Sequence, residues 1–200
     1  MNDPIPSLAQ LLRQLQQIPY LASKNLYRVA EHLLRADAQK VQQLCTAIMQ
    51  AKNNIHPCAI CFTWQEKDKK CQFCDDVRRN QRLICVVESW QELMAVERTS
   101  SYQGVYHVLG GLICPLDGIG PQDLHIQPLL ERMQQHGADE IIFALSQTPE
   151  GEATAIFIAQ RLRPLNIRLT CFSRGIPVGS ALEHLDRLTV YKALSERRPF

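Results

Sequence analysis

Two hundred residues, 46% of them apolar, suffice for a buried core in one large domain or a few small ones. No apolar run reaches the roughly eighteen residues that a membrane-spanning helix needs, and Met1-Asn2-Asp3-Pro4 lacks the basic-then-apolar order of a secretion signal, so a cytoplasmic location is expected. The net charge of +2 is ordinary, but residues 1–79 carry 11 Lys and Arg against 7 Asp and Glu (+4), while residues 80–200 carry 11 against 13 (−2). A basic front half suits an anionic partner such as nucleic acid.

In chain order, the first fifty residues read as three amphipathic helices. Ser7-Leu8-Ala9-Gln10 has the form of a capping box, and Leu8, Leu11, Leu12 and Leu15 recur at helical spacing until Pro19. Ser23 is expected to cap a second helix with the stripe Leu26, Val29, Ala30, Leu33 and Leu34. Asp37 caps a third carrying Val41, Leu44, Cys45 and Ile48. These helices are too short for much core of their own and should pack on one another, on the module that follows, or on another subunit.

That module holds two CxxC pairs, Cys58-Ala59-Ile60-Cys61 and Cys71-Gln72-Phe73-Cys74, joined by a loop with the polar run Gln65-Glu66-Lys67-Asp68-Lys69-Lys70. Each pair can place two thiolates on one backbone knuckle, and the loop lets both pairs converge on a tetrahedral ion. The spacing predicts Zn2+ held by Cys58, Cys61, Cys71 and Cys74. Four protein ligands leave no position for water or substrate, so the role is structural. Two disulfides or a redox dithiol are the alternatives. A loop this polar has no core, so it needs the metal for order. His56 reads as a loop histidine rather than a ligand. Cys45, Cys85, Cys114 and Cys171 lie in or beside apolar runs and read as small buried hydrophobes.

From residue 82 the rhythm changes. Leu83–Val87 is a continuous apolar run, as in a strand buried on both faces. A helix is expected over 91–98, a strand over 105–109, a helix over 122–135, a strand over 141–145, a helix over 151–162 and a strand over 167–172. Strands alternating with helices predict right-handed crossovers and a parallel α/β sheet.

Several strings now bring a family into view: Tyr106-His107-Val108-Leu109-Gly110-Gly111, Pro115-Leu116-Asp117-Gly118-Ile119-Gly120-Pro121, Glu150-Gly151-Glu152-Ala153-Thr154-Ala155 and Arg174-Gly175-Ile176-Pro177-Val178-Gly179. With the CxxC pairs they cover nearly the whole chain, and in this order it resembles the bacterial RecR recombination mediators. The resemblance implies a helix-hairpin-helix region over 1–52, a four-cysteine zinc finger over 53–79, a Toprim domain over 80–175 and a C-terminal assembly segment over 176–200. It also implies a homo-oligomer in DNA repair that works with RecO and RecF to help RecA load on gapped DNA.

The hairpin departs from the family. Where a Gly-Ile-Gly turn is usual, this chain has Tyr20-Leu21-Ala22 after Ile18-Pro19. Hairpin glycines let backbone N–H groups approach a phosphate and permit positive φ, and the side chains of Tyr20 and Ala22 should hinder both. Lys24, Arg28, Ala30, His32, Leu33 and Leu34 still match the family's second helix. Lys24 and Arg28, four apart, share one face as phosphate contacts require, although such pairs are also common on solvated faces.

Toprim enzymes hold magnesium with a glutamate after the first strand and an Asp-x-Asp after a later one. Glu88 stands at the first position, but Ser146-Gln147-Thr148 follows the later strand, and one carboxylate is a poor magnesium site. No Ser-His-Asp or Cys-His spacing stands out. The domain therefore reads as a non-catalytic docking surface, with Glu88, Asp117, Glu150 and Glu152 as candidate partner contacts. The alternatives are a magnesium-dependent Toprim nuclease or primase fragment using Glu88, Asp117 and Glu152, and a zinc-stabilised interaction module without DNA binding.

Overall fold

The computed structural model describes residues 5–173 and 181–195; Arg174–Gly179, one of the four family strings, lies outside them. The chain divides into two compact units, Met1–Asn54 and Ile55–Phe200.

In the first unit, α1 (Pro6–Gln16) packs against α2 (Ser23–Arg35), burying Ala9, Leu26 and Ala30. Neither helix starts as its sequence suggests. Pro6 opens α1, because its fixed φ suits the first helical position and its missing N–H is no loss there. Ser7 therefore lies inside the helix and Ile5 occupies the cap without a side-chain bond, so there is no capping box. Ser23 is likewise the first residue of α2, and the preceding Ala22 caps through its backbone carbonyl, which accepts from Asn25 N–H at 2.8 Å. Asp37 does precede α3 (Ala38–Asn54), its carbonyl accepting from Lys40 and Val41. α3 buries no residue: Leu44, Ile48 and Met49 are exposed, and so is Cys45, contrary to the expectation of a buried thiol.

Between α1 and α2 the chain reverses at Ile18-Pro19-Tyr20-Leu21, where Leu21 N–H donates to the Ile18 carbonyl at 3.3 Å. Proline second and a left-handed residue third is the pattern of a type II turn, and Tyr20 takes φ 66°. The tyrosine side chain therefore does not prevent positive φ. Ala22 needs none, at φ −57° and ψ 139°.

The second unit opens with a short antiparallel pair, β1 (Ile55–Pro57) and β2 (Trp64–Glu66), which carries the first CxxC knuckle in its turn. Then come β3 (Asn80–Val87), α4 (Trp90–Glu97), β4 (Gly104–Val108), α5 (Ile126–His136), β5 (Glu140–Ala144), α6 (Pro149–Leu162) and β6 (Arg168–Cys171). The four later strands form a parallel sheet ordered β4-β3-β5-β6, as the alternating pattern predicts. Beyond the sheet lies α7 (Arg187–Ser195). α5 begins four residues later than its sequence suggests, because Leu124, extended at φ −115° and ψ 157°, separates a 3-10 turn at Pro121–Asp123 from the helix.

Strand alternation divides the core into two layers. Ile84 and Val86 of β3, with Ile141 and Phe143 of β5, pack under Leu129 and Met133 of α5 and Ile158 and Leu162 of α6. Cys85 and Val87, with Tyr106, Val108 and Ala144, meet Leu93 of α4 and the cysteine module itself. Cys85 is thus a buried hydrophobe as expected. Cys114 is only half-buried, and Cys171 is exposed at the end of edge strand β6. Among the described residues no helix is long and apolar enough to cross a membrane.

Candidate functional site

The β1–β2 turn sets the first pair of sulfurs. Phe62, at φ 60°, closes it; Cys58 N–H donates to Thr63 O at 2.7 Å, Phe62 N–H to Cys58 O at 3.0 Å, and Ile60 N–H to Cys58 Sγ at 3.4 Å. A second turn sets the other pair, with Cys71 N–H donating to Asp75 Oδ2 at 2.9 Å and Asp75 N–H to Cys71 O at 3.1 Å. The four Sγ atoms then lie within 4.8 Å of one another, Cys61 and Cys71 at 3.6 Å. A tetrahedron with metal–sulfur bonds of about 2.3 Å has edges of about 3.8 Å, so the cage fits such an ion. A disulfide needs about 2.05 Å, which excludes bridges in this arrangement. Cys58, Cys61 and Cys71 are buried and Cys74 half-buried. The four thiols interact strongly with one another, and burial resists their ionisation. His56 is outside the cage: its Nε2 accepts from the Gln65 side-chain amide at 3.0 Å.

The module is built into the sheet. Val108 N–H donates to Cys61 O at 2.8 Å, and the Phe62 ring stacks on His125 at 3.8 Å and 12°. The buried His107, edge-on to Phe62 at 5.3 Å, donates from Nε2 to His125 O at 2.7 Å. Burial, chiefly, lowers its pKa to about 3, so it stays a neutral packing group.

In the first unit Lys24 and Arg28 are exposed on the face of α2 opposite Leu26 and Ala30. Neither has an ion pair among the described residues, whereas Glu31 on the same face is engaged by Arg35 at 2.7 Å.

The expected partner contacts are only partly gathered. Glu88 follows β3 directly and accepts from Ser146 Oγ at 3.0 Å, just beyond the neighbouring β5. Glu150 and Glu152 are half-buried in the first turn of α6, which Thr148 caps through Gly151 N–H at 3.2 Å. Asp117 sits apart in the β4–α5 loop, accepting from Cys114 Sγ at 3.2 Å. That loop is tied to α6 through Ile113 N–H, which donates to Thr154 Oγ1 at 2.9 Å. Among the described residues the one group of three or more metal-ligating side chains is the four cysteines, so these carboxylates form no comparable cluster.

Sequence reasoning missed two features here. Ser146, read only as a missing aspartate, holds Glu88. Beside Glu88 and Glu92 a groove of about 560 Å³ runs between α4 and the end of the sheet, lined by Val96, Tyr102, Leu145 and Phe172. These side chains are scattered along the chain, and only the fold brings them together.

The geometry also explains one glycine of the quoted strings. A Cβ on Gly151 would lie 1.9 Å from Ser146 O. Gly151→Ala is expected to push Ser146 away from Glu88 and cost about 2–3 kcal/mol, the upper range for overpacking. Urea denaturation at unchanged midpoint would refute this.

Comparison with known proteins agrees with the fold. The Toprim domain model matches residues 82–173, and the model described as RecR, C-terminal matches residues 175–198. The chain is 42% identical over 191 residues to the recombination protein RecR of Myxococcus xanthus, covering 96% of each. It is 41% identical over 193 residues to that of Rippkaea orientalis, covering 96% of this chain and 97% of the relative. Against that of Deinococcus radiodurans it is 40% identical over 193 residues, covering 96% and 86%. With similarity of this extent running through the helical unit, the cysteine cage and the Toprim sheet, the chain belongs to the RecR family of recombination proteins.

Proposed function

We propose that the chain is a non-enzymatic recombination mediator of the cytoplasm. In this reading it binds DNA without sequence preference through Lys24 and Arg28, and recruits RecO- and RecF-type partners through its Toprim edge to help load RecA on gapped DNA. It works as a homo-oligomer, with residues 176–200 serving assembly. The observation that carries the reading is the nature of its multi-ligand cluster. Four sulfurs close a coordination shell completely, so Zn2+ held there by Cys58, Cys61, Cys71 and Cys74 would order the module and meet no substrate. One oxygen of the carboxylate Glu88 accepts a hydrogen bond from Ser146.

DNA binding is tested by titrating affinity against salt. Each phosphate contact contributes about 0.7–0.9 to the slope of log affinity on log salt. Lys24→Ala with Arg28→Ala should therefore flatten the slope by about 1.4–1.8 and weaken all sequences alike. An unchanged slope would remove these residues from the interface.

Partner docking is assigned to Glu88, Glu150 and Glu152, with Asp117 on the adjoining loop and the apolar groove beside Glu88 as anchor. Close charge pairs at a desolvated interface are coupled by about 1.5–7 kcal/mol. Reversing Glu88 and Glu152 to lysine should weaken a RecO-type complex at least ten-fold, near the low end of that range. Zinc content should hold. Magnesium-dependent nicking or primer synthesis that vanishes in Glu88→Gln would instead make the protein an enzyme.

A further inference from the structure

Among the described residues, five other than glycine take positive φ: Tyr20, Phe62, Asp68, Ser100 and Asn166. Asp, Ser and Asn are short and polar, and they adopt this conformation with local hydrogen bonding. The two aromatic residues are the informative ones. Phe62 is offset by its stack on His125. Tyr20 has no such contact: its side chain is fully exposed at 105%, and its ring meets no other ring or cation among the described residues. A bulky residue held left-handed at the tip of a reversal, its whole ring in solvent, points to a ring partner outside the chain.

The surroundings identify its chemistry. Ile18 and Tyr27 are exposed beside the turn and on α2, and Tyr27 shares the outward face with Lys24 and Arg28. The acid of that face is neutralised by Arg35, which leaves the two cations unpaired among the described residues. Exposed aromatic rings on the same helical hairpin as unpaired cations match a nucleic-acid strand, in which bases stack and phosphates need positive charge. In a duplex the base faces are already stacked; a protein ring can reach them only where a base is unpaired.

We propose that Tyr20 is a stacking platform for an unpaired DNA base, with Lys24 and Arg28 on the flanking phosphates, so that the hairpin favours single-stranded or gapped DNA over intact duplex. The proposal rests on the DNA-binding reading above and adds the form of DNA bound. Every base has a π face, so no sequence preference follows.

The test uses the full chain and fluorescence anisotropy with a labelled oligothymidine strand of about 16 nucleotides and a duplex of equal length. Tyr20→Phe keeps the stack and should leave both affinities unchanged. Tyr20→Leu keeps an exposed apolar side chain but removes the stack. It should weaken single-strand binding about five-fold or more while leaving duplex binding unchanged, the effect of losing one base–aromatic contact. Equal loss on both forms, or no loss on either, overturns the proposal. A change in oligomeric state by light scattering in Tyr20→Leu also overturns it, since the ring would then contact a second copy. The Lys24→Ala, Arg28→Ala variant separates the two readings. If it binds like the parent while Tyr20→Leu loses the single strand, the phosphate assignment fails and the stacking stands. A parent that binds neither form defeats both.

Discussion

Cys61→Ser is expected to release the metal and unfold much of the second unit. Freshly purified, reduced parent protein should carry one zinc per chain, and the variant close to none. Structural zinc in small modules has an apparent binding free energy of roughly 10–16 kcal/mol, which is folding free energy. Whole domains are stable by only about 5–15 kcal/mol, so the loss is comparable with the total. It cannot stay local either. Cys58, Cys61 and Cys71 pack in one cluster with Phe73, Val87, Tyr106 and Val108, and Cys61 O accepts from the backbone of β4. The polar loop Glu66–Lys70 offers no apolar replacement. The same serine change at the exposed Cys171, outside the cage, should leave zinc in place. Metal analysis with circular dichroism checks both variants. Zinc retained in Cys61→Ser, or absent from the parent, would overturn the assignment.

How much of this was legible in the sequence follows from how locally each feature is encoded. The parallel sheet was readable because continuous apolar runs such as Leu83–Val87 separated by helical periods leave few other arrangements. The cysteine cage was readable because each CxxC knuckle is a short-range geometry. Helix starts were not: Ser7 and Ser23 look like caps, but the fixed φ of Pro6 and the turn through Tyr20 move the first boundary by two residues and the second by one. Burial of Cys45 and Cys171 was misread because an apolar neighbourhood in sequence says nothing of helix packing or edge position. The Ser146–Glu88 contact joins residues 58 apart in the chain and depends on strand order. So does the packing of the cysteine module on the sheet.

The polar cluster at Arg79 is another feature that only the fold discloses, and its disruption should be the second large effect. The guanidinium donates to Glu97 through Nη1 at 2.9 Å and Nη2 at 2.7 Å, and Nη1 also reaches Gly104 O at 3.0 Å. It lies over the rings of Phe73 at 5.1 Å and Tyr106 at 5.9 Å, while Tyr106 donates its hydroxyl to Glu97 at 2.6 Å. The two charged side chains are only 14% and 21% exposed. Glu97 ends α4, where the helix dipole disfavours a carboxylate, so the arginine is needed for it to sit there. One pair thereby joins the cysteine module, the start of β4 and the end of α4. Glu97→Gln leaves the nearly buried arginine only one, more distant countercharge, the Asp76 carboxylate 4.0 Å from Nε. Complete burial would make that about 3–5 kcal/mol; the residual exposure argues for about 2–3 kcal/mol. Arg79→Lys should also destabilise, since an ammonium cannot bond both carboxylate oxygens and stack. The dependence on pH separates lost charge from lost packing. Burial pushes the Glu97 carboxyl up, but Arg79 and Tyr106 outweigh it and hold the group below its ordinary value. A carboxyl with a depressed folded-state pKa stabilises above its unfolded value, about 4.3, and that contribution fades as pH falls through the folded one. Urea midpoints of parent and Glu97→Gln should therefore differ most near neutral pH and converge on acidification below about 4. A gap constant from neutral to acid pH would mean that the ion pair contributes nothing and that the substituted amide merely packs worse than the carboxylate.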